Sequence, residues 1–288
     1  AASLEMILEH PMRTCSFSKA LAAGVLASLA LAAAPAHAGA IRLASEFTDF
    51  TLPANDDGST GLVDIGFAVN FYGVNRSQLF VNNNGNVTLD ASLSTYTPFG
   101  LSGTNRQIIA PFFADVDTRG VGSGLVQYGT GTVDGRSAFG VNWINVGFYA
   151  SQTSRLNSFQ LIMIDRSDTG AGNFDFEFNF DQILWETGQA SGGDSNGLGG
   201  FSARSGWSNG ALNSFELAGS AVNGALLDGG PNALISGSLN SDVDGRYVFS
   251  VRNGTVQPPN DVPEPASLAL VAAALLGAAA ARRTRRQR

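Results

Sequence analysis

The residues of this sequence best suited to chemistry are two aspartates, Asp115 and Asp117, which follow an apolar run. At a strand end, this spacing places both carboxylates on one side of the chain. A hard cation such as Ca²⁺ requires several oxygen ligands, so the pair predicts a calcium site. Four further side chains would add oxygens if their loops converge on the pair: Asp56, Asp57, Asn82 and Asn84. The alternative is that these residues cap turns through hydrogen bonds to nearby backbone.

A second acidic pair, Asp175 and Glu177, has the same spacing and suggests the two carboxylates of a glycosidase. The surrounding run, residues 173–181, alternates phenylalanine with polar residues. That alternation predicts instead a strand with a phenylalanine core face and an acidic, solvated face that discourages edge pairing. Asp242 and Asp244 repeat the spacing without the closing Glu of an EF-hand loop, which predicts a tight turn.

Composition excludes several classes of function. Every Lys, His and Cys of the 288 residues lies within the first 38 positions. The interior therefore offers no Ser-His-Asp or Cys-His catalysis, no zinc site of the Cys/His type and no disulfide. From Gly39 to Pro263 it holds ten arginines against 21 acidic residues, a net charge of −11. An acidic surface repels phosphate backbones, so we expect neither nucleic-acid binding nor an enzyme with identifiable catalytic residues.

The elements that must position these residues are short strands. Between Ile41 and Thr255, alternating runs are separated by glycine-rich turns, and no sustained helical period occurs. This pattern predicts an all-β, glycine-rich, antiparallel β-sandwich-like domain over residues 39–256. A hairpin is predicted at 79–89 around a type I′ turn at Asn84-Gly85, and a short helix at 224–236. The other predicted strands are 62–72, 107–114, 124–128, 137–146, 157–165, 173–181, 198–203, 214–217 and 246–251.

Aromatic side chains offer a further kind of site. If exposed, they could stack on sugar rings, which would make the domain a carbohydrate-binding module. The alternative is burial in the core, the commoner fate of aromatic residues in strands. The candidates are Trp143, Tyr149, Trp185 and Trp207.

The N-terminal segment has the pattern of a secretory signal. Two basic residues precede an apolar run at 20–34, which is too short to cross a bilayer as a helix. Ala36 and Ala38 then supply the small residues that signal peptidase requires. Residues 1–38 are therefore predicted to be a leader and Sec signal peptide, with Gly39 as the new N-terminus.

The C-terminal segment has three parts in a fixed order. After a stiff linker at 257–262, the sequence gives Pro263, Glu264 and Pro265, and then an apolar helix predicted at 266–281. A basic cluster should stay on the cytoplasmic side of the inner membrane. That cluster comprises Arg282, Arg283, Arg285, Arg286 and Arg288.

This tripartite segment, residues 263–288, resembles the PEP-CTERM sorting signal of Gram-negative bacteria. The resemblance implies cleavage by an exosortase after transient anchoring in the inner membrane. It also implies a producing organism that forms exopolysaccharide, and export of the product to that matrix or to the cell surface.

The middle of the chain resembles the NIDO domain, the extracellular module of nidogen, tectorins and some mucins. The strongest resemblance is at residues 110–118 (APFFADVDT), which are close to that family's block of apolar residues followed by DVDT. Phe113 stands where the family usually has Trp, and Phe180 where it often has Tyr, and both keep the aromatic bulk. Further segments resemble other motifs of the family and follow one another in the same order: 52–58, 63–73, 80–85, 156–161, 178–183 and 199–202.

Together these features predict a non-enzymatic, exported matrix or cell-surface protein with a role in adhesion or biofilm. Its expected partners are the Sec translocon, signal peptidase, an exosortase, and exopolysaccharide or another surface protein. One alternative is a carbohydrate-binding or polysaccharide-processing secreted protein. Another is an adhesin stiffened by calcium.

Overall fold

The computed structural model describes residues 39–258. Within that range no helix has the length and hydropathy needed to cross a membrane. Several predictions lie outside the described residues: those for Ala36 and Ala38, the box from Pro263 to Pro265, the helix 266–281 and the arginine cluster.

Strands form almost all of the regular structure of the described range. Single 3-10 turns occur at Ala44–Glu46, Ser167–Thr169 and Gln189–Ser191. The strands are β1 (Phe50–Thr51), β2 (Val63–Phe71), β3 (Val74–Asn82), β4 (Asn86–Thr88), β5 (Gln107–Phe113), β6 (Val116–Asp117), β7 (Val126–Val133), β8 (Arg136–Phe148), β9 (Gln152–Asp165), β10 (Phe174–Gln182), β11 (Arg204–Asn209), β12 (Ser214–Glu216), β13 (Arg246–Arg252) and β14 (Thr255–Val256).

These strands form two antiparallel sheets. The larger has the order β1-β7-β8-β9-β10-β13-β14, with β6 paired to β8. The smaller has the order β12-β11-β5-β4-β3-β2. The predicted all-β, antiparallel, sandwich-like fold is confirmed.

The core between the sheets is rich in aromatic side chains. The β10 phenylalanines Phe174, Phe176, Phe178 and Phe180 are all buried, as their alternation predicts. Phe176 stacks on Phe249 of β13 with ring centroids 4.8 Å apart. Phe112 of β5 meets Phe159 of β9 at 5.3 Å, so aromatic contacts join the two sheets.

The outer face of β10 corrects one prediction, because it is covered rather than solvated. Asp175 and Glu177 are only 8% and 4% exposed. Residues 40–47 cross this face of the larger sheet, and Phe47 at their end is buried against Val133 and Ile162. The alternation predicts the two faces of β10, but the layer that covers its polar side comes from a distant part of the chain.

Three local predictions are also wrong. The 79–89 hairpin forms, but Asn83, Asn84 and Gly85 make a three-residue loop in which only Gly85 has a positive φ. That is the geometry of a three-residue hairpin loop rather than a type I′ turn. Residues 198–203 make bends and one isolated bridge instead of a strand, since Gly199 and Gly200 have φ values of 89° and 54°. Residues 224–236 form successive turns instead of a helix.

The three tryptophans lie in the core rather than on the surface. Trp143 and Trp185 have no exposed surface, and Trp207 is 6% exposed. The Trp143 indole donates a hydrogen bond to the Asn83 carbonyl at 3.0 Å, and that of Trp185 donates to the Val146 carbonyl at 3.1 Å. Tyr149 is half-buried. Burial removes the tryptophan faces that a sugar ring would need.

Candidate metal centre

Two loops at one end of the sandwich bring three carboxylates together. Asp56 and Asp57 lie in the turn between β1 and β2, and Asp115 lies between β5 and β6. One oxygen from each of the three lies within 4.8 Å of the others. We call Asp56, Asp57 and Asp115 the acidic loop cluster. Of the six oxygen donors considered from the sequence, the structure brings these three carboxylates together.

Asp115 is the least compensated member of this cluster. Its side chain is 1% exposed, and neither of its carboxylate oxygens has a hydrogen-bond partner. Its backbone is held firmly, since its carbonyl accepts a bond from the Tyr149 N–H at 3.2 Å. A methyl group on Gly188 would overlap the carboxylate, so this wall of the cluster is bare backbone.

Asp117, the second residue of the predicted pair, has a different environment. Its Oδ1 accepts from the Arg119 Nε at 2.9 Å and its Oδ2 from the Arg119 Nη2 at 2.7 Å. The N–H groups of Arg119 and Ser151 donate to the same carboxylate at 2.9 and 2.7 Å. All of its strong acceptor positions are in use, which fits the turn-capping alternative for this residue.

The two asparagines proposed as ligands have structural partners. The Oδ1 of Asn82 accepts from the Ser59 hydroxyl at 2.7 Å and from the Leu93 N–H at 3.0 Å. The Oδ1 of Asn84 accepts from the Val116 N–H at 3.0 Å. Asn84 nevertheless supports the cluster, because its Nδ2 donates to Asp57 Oδ1 at 2.8 Å.

Charge is poorly balanced across the cluster. Burial, reinforced by the carboxylates of Asp56, Asp57 and Asp117, raises the pKa of Asp115 to about 8. Burial and the same kind of repulsion raise the pKa of Asp56 to about 6. Although burial acts in the opposite direction, hydrogen bonds from Arg119 and Ser151 hold the pKa of Asp117 below its ordinary value.

Arg119 was missing from the sequence prediction and decides the outcome for Asp117. Its guanidinium also pairs with Asp56 Oδ2 at 2.9 Å. The Arg119 guanidinium thus pairs with Asp117 and with one oxygen of Asp56. The other oxygen, Asp56 Oδ1, is buried without a hydrogen-bond partner. A sequence signal was present, since an arginine two residues after an aspartate can fold back onto it.

The glycosidase-like pair is surrounded by arginines. Asp175 contacts Arg166 at 2.6 Å and Arg252 at 2.7 Å, and Glu177 contacts Arg42 at 2.5 Å. We call Asp175 and Glu177 the outer acidic row. Because each carboxylate is buried against a guanidinium, the arrangement is that of a structural ion-pair network.

Comparison with known families gives two matches. The model of a family described as the nidogen-like domain matches residues 77–253. The model of the PEP-CTERM protein-sorting motif matches residues 261–286. Asp115 lies inside the first match, whereas Asp56 and Asp57 precede it.

Known proteins match part of the chain. Alpha-tectorin of Mus musculus is 34% identical over 237 residues, which cover 74% of this chain and 10% of that protein. Alpha-tectorin of Gallus gallus is 30% identical over 239 residues, covering 74% and 11%. Nidogen of Drosophila melanogaster is 29% identical over 132 residues, covering 38% and 10%. The chain spans about a tenth of the length of these relatives. No solved structure matches it significantly.

Proposed function

Because this chain belongs to the nidogen-like domain family and carries a PEP-CTERM protein-sorting motif, we propose that it is an exported, exosortase-processed, non-enzymatic protein of the extracellular matrix or cell surface. Its role there is adhesion, in association with a biofilm or its exopolysaccharide. The observation that carries this proposal is the presence of both matches on one chain. The ion pairs of the outer acidic row and the hydrogen bonds that Arg119 donates to Asp117 support it, since they give these carboxylates structural partners.

Processing at both ends belongs to the same proposal. Signal peptidase cuts between Ala38 and Gly39 after Sec export, and an exosortase cuts near Pro263, Glu264 and Pro265. Intact-mass measurement on protein from the native host tests both cuts. We expect a chain that begins at Gly39 and lacks the arginine cluster, and a host without its exosortase should retain that cluster. Mature protein that keeps Arg282 to Arg288 contradicts the proposal.

One surface groove favours carbohydrate binding as a second function. Phe50 is 61% exposed and stacks on Tyr128 with ring centroids 5.5 Å apart, beside a groove of about 370 Å³. Leu62, Asp49 and Asp64 also line the groove. Stacked rings with acceptor groups nearby offer a sugar an apolar face and hydrogen bonds.

Co-sedimentation with exopolysaccharide from the producing strain tests this function. Phe50→Ala should lower the bound fraction several-fold. Phe201→Ala is the matched control, because Phe201 is 64% exposed and lies outside this groove. Equal binding by the two variants would remove the groove from consideration while leaving the proposal of export and processing intact.

A further inference from the structure

We propose that Asp56, Asp57 and Asp115 bind one calcium ion that joins the β1–β2 turn to the β5–β6 loop. This site differs from the pair that the sequence spacing suggests, because Asp117 is a support and not a ligand. The proposal is independent of the adhesive function above, since it rests only on the geometry of the acidic loop cluster.

The first argument is convergence. Three carboxylates from sequence positions nearly 60 residues apart present oxygens within 4.8 Å of one another. Two of them are oriented by their neighbours, Asp56 by Arg119 at 2.9 Å and Asp57 by Asn84 at 2.8 Å. Like charges at such distances repel, so the arrangement favours a bound cation or a proton in addition to the charge that Arg119 shares with Asp117.

The second argument is the isolation of Asp115. Among the described residues, five carboxylate side chains are buried: Asp115, Asp117, Asp175, Glu177 and Glu186. Four of them have donors, including Glu186, which accepts from the N–H groups of Gly224 and Leu226 at 2.6 and 2.7 Å. Asp115 alone has two oxygens without a partner. An unpaired buried carboxylate is costly, and either a bound proton or a bound cation compensates it.

Further unpartnered oxygens lie in the same loops. Asp56 Oδ1 and Asn83 Oδ1 are both buried without hydrogen-bond partners. Asn83 is fixed within this junction, because its Nδ2 donates to the carbonyls of Asp56 and Val116 at 2.5 Å. The loop junction thus offers two further buried oxygens without donors, which a bound cation could use as ligands.

The donor chemistry selects calcium. The cluster offers hard oxygens and, in the described range, lacks the His or Cys that zinc and copper prefer. Its oxygens come from irregular loops, and Ca²⁺ accepts irregular shells of about six to eight oxygens, whereas Mg²⁺ demands near-ideal octahedral geometry. Outside the cell, an affinity of about 10⁻⁴ to 10⁻³ M is enough for occupancy.

Thermal unfolding of the purified full-length chain, with CaCl₂ or with chelator, tests the proposal. At about one hundred times the dissociation constant, Ca²⁺ should raise Tm by roughly 5 to 11 °C for a domain of this size. Mg²⁺ at the same concentration should give a clearly smaller shift. Superimposed melts at 20 mM CaCl₂ and in chelator would overturn the proposal.

Matched substitutions identify the ligands. Asp115→Asn should abolish the calcium shift, and Asp57→Asn, at a less buried position, should weaken binding at least tenfold in a calorimetric titration. Asp242→Asn removes an exposed charge outside both the cluster and the groove and should keep the full shift. If Asp115→Asn does not fold, the Asp57→Asn titration decides. Unchanged calcium binding in that variant overturns the proposal.

Discussion

The outer acidic row on β10 and the loop that carries Asp115 and Asp117 have the same Asp-x-Asp/Glu spacing, and all four of these carboxylates are buried. The two regions differ in how many arginine side chains pair with their carboxylates. Arg42, Arg166 and Arg252 each contact the outer acidic row within 2.7 Å. At the loop cluster, Arg119 serves Asp117 and Asp56 and makes no ion pair with Asp115. Burial of acids alone therefore does not distinguish the two regions, and the calcium proposal rests on the carboxylate of Asp115, which has no arginine partner.

The largest effect should come from removing a cation from the compensated region. Arg42→Ala leaves Glu177 buried, with Arg246 at 4.0 Å as its remaining ion-pair partner. Breaking a buried pair in this way costs about 3 to 5 kcal/mol, which lowers Tm by roughly 6 °C or more. Chemical denaturation, with and without calcium, measures the loss, which should be equal in both conditions.

Arg136→Ala is the matched control for that change. Arg136 pairs with Asp168 at 3.3 Å, and both side chains are more than 40% exposed. An exposed pair contributes about 0 to 1 kcal/mol. A loss as large as that of Arg42→Ala would show that burial is not what distinguishes the outer acidic row.

An intermediate loss of stability is expected for Asp117→Asn. This variant distinguishes an aspartate with a structural role from one that binds calcium. Asp117→Asn weakens the paired bonds from Arg119 and the bond from the Ser151 N–H. We expect a loss of about 2 kcal/mol, the order of one charge-assisted hydrogen bond, in calcium and in chelator alike. A variant that keeps its metal-free stability but loses the calcium shift would instead make Asp117 a ligand.

The smallest change in stability is expected for Asp115→Asn in the absence of calcium, and it should be an increase. Because burial raises the pKa of Asp115 to about 8, folding in chelator at pH 7 must either bury its charge or take up a proton, and both cost stability that an amide of the same shape does not. Asp115→Asn should therefore raise Tm in chelator by roughly 2 to 4 °C, or about 1 kcal/mol. Differential scanning calorimetry of the two proteins in chelator checks the sign. A decrease would indicate that Asp115 has a stabilising partner.

The comparison also explains which features the sequence could predict. The phenylalanine face of β10 follows from local alternation, and the predicted bounds of β2 and β5 agree with the structure to within one residue. The role of the polar face of β10 did not follow, because Arg42 lies 135 residues from Glu177. Alternation predicts that a strand has an apolar and a polar face, but it does not predict which part of the chain covers the polar face.

The candidate site was predicted in part for the same reason. Asp115 was identified from the DVDT segment, and Asp56 and Asp57 were named as additional donors. Spacing favoured Asp117 as the closest companion of Asp115, but the Arg119 guanidinium occupies its carboxylate. Which loops converge, and which carboxylate an arginine pairs with, depend on tertiary structure. Sequence periodicity predicts neither.

The central claim is that uncompensated burial at the acidic loop cluster marks a calcium site. Crystals of the protein grown with CaCl₂, measured for anomalous scattering, test it most directly. The account predicts a single strong peak about 2.3 to 2.6 Å from oxygens of Asp56, Asp57 and Asp115, and no peak at the outer acidic row. A peak at Asp175 and Glu177, or a cluster that remains without a cation at saturating calcium, would contradict it.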